Sequence, residues 1–124
     1  MTPPSVLLDD SFLAVLADPT DHRFTAVAGC YSELLDQYER NEIRIRARAD
    51  HLAVVPRDLR RTLFSPIESI HVADQFRRAA ARLSAPVEID PEMAVSLVVM
   101  RREGITRVAT LDRRFDVVDV TVMP

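Results

Sequence analysis

Apolar positions along this chain follow two periods. The clearest runs through Phe24, Val27, Ala28, Tyr31, Leu34, Leu35 and Tyr38, at intervals of three and four. That spacing lines one face of a helix. Asp18-Pro19-Thr20-Asp21 precedes it with a cap, a proline suited to the first turn, and acids that suit the positive end of the helix dipole. A helix is therefore expected from Asp18 to about Arg40. Upstream, "SVLLDD" reads as a short buried strand, and "SFLAVLAD", with Phe12, Leu13, Val15 and Leu16, as a short helix.

"EIRIRARAD" changes the period to two. Ile43, Ile45 and Ala47 alternate with Arg44, Arg46 and Arg48, which predicts a strand with one basic face, either binding RNA or guarding an exposed edge. "HLAVVPRDLRRTLFS" predicts helix, interrupted or restarted at Pro56. "PIESIHV" predicts a strand and "ADQFRRAAARLS" an Ala-rich helix. Asp90-Pro91-Glu92 then opens a helix with a cap and a proline at its first position, and Gly104 stops it. "ITRVAT" and "VVDVTVM" are the last predicted strands. Strands and helices alternate with few hairpin signals, which points to one three-layer α/β domain over residues 1–124 with a mainly parallel sheet.

Composition narrows what such a domain does. With 48% hydrophobic and 28% charged residues, the chain can bury a core and stay solvated. No apolar run nears the roughly 20 residues of a membrane span, and "MTPPSVLLDD" lacks the basic start of a signal peptide. Cys30 is the single cysteine, which excludes an intrachain disulfide and a cysteine-based zinc site and fits a reducing cytoplasm. All sixteen basic residues are Arg. Without Lys, Walker-type phosphate loops and Schiff-base chemistry are excluded. So is a phosphoreceiver site, which "SVLLDD" superficially resembles but which needs a Lys beside its phosphoryl group. His22, His51 and His71 form no ligand-spaced pair and read as structural or surface residues.

In parallel α/β sheets functional groups gather at the C-terminal ends of strands. Asp9 and Asp10 follow the first strand, and Asp112 follows "RVAT". Acids converging there can hold Mg²⁺ or Mn²⁺, hard ions that prefer oxygen ligands and activate water against a phosphodiester. A plainer reading is equally open: Asp9 or Asp10 caps the next helix, and Asp112 begins a turn before Phe115. Arg113 and Arg114 are either phosphate contacts or solvated turn residues balancing nearby acids.

Two segments resemble the PIN-domain family, which includes VapC-type toxins. They are "VLLDDSFLAVLADPTDHRFTAVAGCY" and "MAVSLVVMRREGITRVATLDRRFDVVDVTVMP", with "ATLDRRF" the more specific element. The resemblance implies a three-layer α/β/α PIN-like fold and Mg²⁺- or Mn²⁺-dependent cleavage of RNA. It matches Asp9 to the first-strand acid with Ser11 as its polar neighbour, and Asp112 to a Thr-x-Asp acid with Thr110 as companion. Glu92 and Asp116 are further candidate metal ligands, and Arg113 and Arg114 candidate RNA contacts. Two family positions fall on apolar residues. A helix acid after the second strand is sought at or near Val54, with Asp50 and Asp58 off register. An acid early in the helix before the closing strand falls on Met93, one residue past Glu92. The resemblance also implies a homodimer formed through the early helices and a small antitoxin partner. The alternative it leaves open is a catalytically impaired PIN scaffold that binds RNA or protein.

Overall fold

A computed structural model of the chain describes residues 2–87, 89–117 and 121–123. Its elements are β1 (Ser5–Leu8), α1 (Asp10–Leu16), α2 (Phe24–Glu39), β2 (Arg44–Arg48), α3 (Ala49–Leu52), α4 (Arg57–Arg61), β3 (Glu68–Ile70), α5 (Asp74–Val87), α6 (Pro91–Glu103), β4 (Arg107–Ala109), a 3₁₀ turn (Arg113–Val117) and β5 (Thr121–Met123). The strands form one sheet in the order β3-β2-β1-β4-β5, and every pair is parallel. From β1 the chain builds outward through β2 to β3, then crosses back to β4 and β5 on the other side. The strand order thus reverses between β1 and β4, and a crevice is expected beyond their C-terminal ends.

Side-chain alternation explains the three layers. Val6, Leu8, Ile45, Ala47 and Ala109 point to one face, where they pack with Phe12 and Leu16 of α1, Val27, Tyr31 and Leu34 of α2, and Phe64. Leu7, Ile70 and Val108 point to the other, against Val95, Val99 and Met100 of α6 and against Phe115. The three-layer α/β/α arrangement expected from the pattern is the one observed. Among the described residues no helix is long and apolar enough to cross a membrane. The predicted last strand, "VVDVTVM", is seen at Thr121–Met123, and residues 118–120 lie outside the described residues.

Two local expectations need correction, while the stripe from Phe24 to Tyr38 packs on the core as its spacing suggests. The second helix begins at Phe24, not at Asp18. The Asp18 carboxylate instead accepts hydrogen bonds from the Thr20 amide and hydroxyl, and Asp21 accepts from the Arg23 amide and guanidinium. These local side-chain bonds compete with helix and hold a turn. Secondly, β2 is an interior strand and not an exposed edge. Its arginines are spoken for within the chain: Arg44 pairs with Glu68, Arg46 with Glu103 at the end of α6, and Arg48 with Glu92 at its start. The basic face is what α6 docks on.

The ends of α6 are as the sequence suggests. The Asp90 side chain accepts from the amides of Glu92 and Met93, Pro91 sits in the first turn, and Gly104 closes the helix in the left-handed region at φ 67°. A Cβ at Gly104 would meet nothing within 4 Å, so a substitution there strains the backbone alone. Gly104→Ala is expected to lower stability by about 1–2 kcal/mol, read as a lower urea midpoint with an unchanged slope. An unchanged midpoint would show that this helix end does not need the left-handed residue.

Candidate functional site

The crevice beyond β1 and β4 is a cavity of about 210 Å³ lined by acids from three separate segments: Asp9 and Asp10, Asp90 and Glu92, and Asp112, with His51, Ser96 and Arg114 among them. Asp9 is the most buried of these acids, only 5% exposed. It sits at the start of α1 but its side chain does not cap that helix. Its Oδ2 instead accepts the hydroxyls of Thr110 at 2.8 Å and Ser11 at 3.0 Å. The Ser11 oxygen also accepts the Leu111 amide at 2.9 Å, and the Thr110 oxygen accepts the Asp112 amide at 3.0 Å. The end of β1 is thereby stitched to the end of β4 by residues about one hundred positions apart. Ser11 and Thr110 hold the carboxylate in place and leave its other oxygen without a hydrogen bond among the described residues.

Among the described residues no guanidinium touches Asp9. Burial pushes its carboxyl above the usual carboxylate range, the hydroxyls of Thr110 and Ser11 offset part of that, and the charge of Asp10 adds to it. The other acids differ. Asp112, which lines the cavity as the sequence suggests, is gripped by Arg114 through Nε at 2.9 Å and Nη2 at 2.6 Å, and it also accepts the Arg114 amide. The hydrogen bond from Arg114 holds its carboxyl below the usual range. Asp112 therefore both lines the cavity and begins a turn. Arg114 also reaches Asp90 at 3.3 Å.

Glu92 lines the cavity too, and so does Met93 beside it. The turn of about 100° between them does not exclude either. The Glu92 carboxylate is held by Arg48 at 2.8 Å and Arg77 at 3.4 Å. Val54 is 83% exposed and stands away from the cavity, so no acid was to be sought at that position. The segment after β2 contributes His51 to the cavity lining, with Asp50 beside it at the start of α3. Asp116 and Arg113 do not line the cavity. Both are exposed and face each other at 3.8 Å.

His51 is the residue that sequence reasoning set aside. Its Nδ1 is buried without a hydrogen-bond partner. Burial, and then the charge of Arg48, push its basicity below the ordinary imidazole value, which favours the neutral ring, the form that offers a lone pair. Ligand atoms of Asp9, Asp10 and His51 lie within 4.8 Å of one another, as do those of Asp50, His51 and Glu92. The donor set fits a divalent cation. A buried carboxylate without a counter-charge is costly alone and is relieved by a cation, and an orphaned imidazole nitrogen gains a partner.

No family model and no curated protein matches this chain. Among solved structures it is similar to VapC20 of Mycobacterium tuberculosis, described as a toxin that cleaves the sarcin–ricin loop. The two share 19% identity over 90% of this chain and 92% of that one, with a TM-score of 0.63. At that identity the likeness is one of fold. The PIN-like fold expected from the two ends of the sequence is therefore the fold of this chain.

The raised value of Asp9 has a sign that can be tested. An acid that binds its proton more tightly when folded loses stability as pH climbs from 3.8, its ordinary value, through the raised one. At pH 7, well above 3.8, the metal-free protein carries that cost. Asp9→Asn is expected to melt at a higher temperature than the wild type at pH 7, and the gap should close as pH approaches 3.8. A lower melting temperature for the variant at pH 7 would contradict burial as the dominant influence.

Proposed function

We propose that this chain is a divalent-metal-dependent ribonuclease of the VapC toxin type. The observation that carries the reading is Asp9, a buried carboxylate without a counter-charge, in a cavity with Asp10, His51 and Asp112 at the point where the strand order reverses. The fold likeness to a toxin described as cleaving the sarcin–ricin loop supports RNA as the substrate class.

Asp9, Asp10 and His51 would hold the ion, with Asp112 beside them. A bound divalent cation would lower the pKa of a coordinated water and offset charge on the scissile phosphate. An imidazole in the donor set suits Mn²⁺ better than Mg²⁺, which prefers oxygen. The chain's own residues do the placing. Ser11 and Thr110 aim Asp9, Arg114 holds Asp112, and the exposed Arg113 stands just outside as a phosphate contact.

The likeness to VapC toxins also supports a small antitoxin partner. A homodimer rests on the same likeness, without help from the α2 stripe, which faces the core. A second reading, an impaired scaffold that binds RNA or protein, has its own observation. Asp50, Glu92 and Asp112 are all ion-paired to arginines already.

Cleavage of a mixed panel of structured RNAs separates the two readings. Activity is expected with Mn²⁺, is lost with chelator, and should fall at least about 100-fold in Asp9→Asn, since removing even an outer partner of a metal ligand costs 10–100-fold. RNA binding without cleavage, indifferent to chelator and to Asp9→Asn, would establish the scaffold instead.

A further inference from the structure

The two possible ligand groups, Asp9–Asp10–His51 and Asp50–His51–Glu92, share His51 and are therefore neighbours. Adjacent loci are what a two-metal phosphodiesterase site requires, with ions about 3.5–4 Å apart. In this chain the second group already surrounds a cation. Arg48 Nη2 donates to Asp50 Oδ2 at 2.5 Å and to Glu92 Oε2 at 2.8 Å, so one nitrogen bridges the two carboxylates. Nε donates to the other Asp50 oxygen at 3.0 Å. Nη1 donates to the Glu92 carbonyl at 3.1 Å and to Ser96 Oγ at 3.0 Å. The side chain is wholly buried.

From this arrangement we infer that Arg48 stands in place of a second divalent cation, so that the pocket takes a single ion at Asp9, Asp10 and His51. The inference rests on the metal-dependent reading above. Asp50 and Glu92 then serve the guanidinium and are not ligands of the ion.

Several features favour the guanidinium at that locus. It is charged at every accessible pH, and its planar fork matches two carboxylates and a carbonyl at once. Displacing it would leave a buried charge without its partners. A hydrated Mg²⁺ ion would have to give up waters to compete. Arg77 adds a second cation, 3.2 Å from Asp50 and 3.4 Å from Glu92. The negative charge of this half of the pocket is thus balanced from within the chain, whereas Asp9 and Asp10 have no arginine. Arg48 is a positioning residue on this account. It ties the end of β2 to the first turn of α6.

Mn²⁺ titration followed by electron paramagnetic resonance, which counts bound ions, tests this without reference to activity. The wild type is expected to bind one Mn²⁺ per chain. Glu92→Gln should bind it within about twofold of wild type, and Asp9→Asn at least about tenfold more weakly. Arg48→Met, if circular dichroism shows it folded, should bind two. The Glu92→Gln comparison stands whether or not Arg48→Met folds. Two ions in the wild type, or a loss of about tenfold or more in Glu92→Gln alongside the loss in Asp9→Asn, would overturn the role of Arg48 and leave the metal-dependent reading intact. Wild type and Asp9→Asn binding Mn²⁺ equally weakly would instead remove the metal reading, and this inference with it.

Discussion

The top of this molecule is organised around a carboxylate buried without a counter-charge. Asp9 is fixed by two hydroxyls, one from its own helix and one from the end of β4, and those same hydroxyl oxygens receive the amides of Leu111 and Asp112. A single hydrogen-bonded knot therefore sets where β1 ends, where β4 ends and where the 3₁₀ turn begins. The parallel sheet brings these strand ends together, and the reversal of strand order between β1 and β4 opens the crevice above them. A buried acid so placed is unfavourable for stability, and sites of this kind are where function is sought.

Around Asp9 the chain spends arginines unevenly. Arg48 and Arg77 balance Asp50 and Glu92, and Arg114 balances Asp112 and Asp90. This pattern answers a difficulty raised by the sequence, in which two acids expected of a PIN-like site fall on apolar residues. The pocket is not short of carboxylates. It has a full set, some of which are neutralised by guanidinium groups so that charge remains concentrated at Asp9 and Asp10. The same pattern makes an impaired scaffold a serious rival, because each internal ion pair is one ligand fewer for a metal.

Much of the fold was legible because it rests on local signals. The Asp90 cap, Pro91 and Gly104 bounded α6 correctly, and the alternation in "EIRIRARAD" marked β2. Asp9 and Asp112 were found because both follow apolar runs that end as strands. What the sequence did not reveal depends on contacts between distant segments. Arg48 and Glu92 are 44 residues apart, and nothing local distinguishes a buried arginine from a solvated one. Alternation correctly put Arg44, Arg46 and Arg48 on one face, but that face meets α6 and not solvent. His51 looked isolated because its neighbours Asp9 and Asp10 come from another strand. The early start given to α2 failed for a different reason: Asp18 and Asp21 each satisfy the backbone locally, and good capping residues also make good turns.

On the proposed reading, Asp9, Asp10 and His51 hold one divalent ion while Arg48 keeps Asp50 and Glu92 occupied. A crystal of the protein grown with Mn²⁺ and measured at a wavelength where manganese scatters anomalously would test it most directly. One anomalous peak per chain is expected, with oxygen ligands from Asp9 and Asp10 at about 2.0–2.2 Å, His51 turned towards it, and Arg48 still bridging Asp50 and Glu92. A peak lying between Asp50 and Glu92 with Arg48 displaced, or no peak against Asp9 at saturating Mn²⁺, would contradict it.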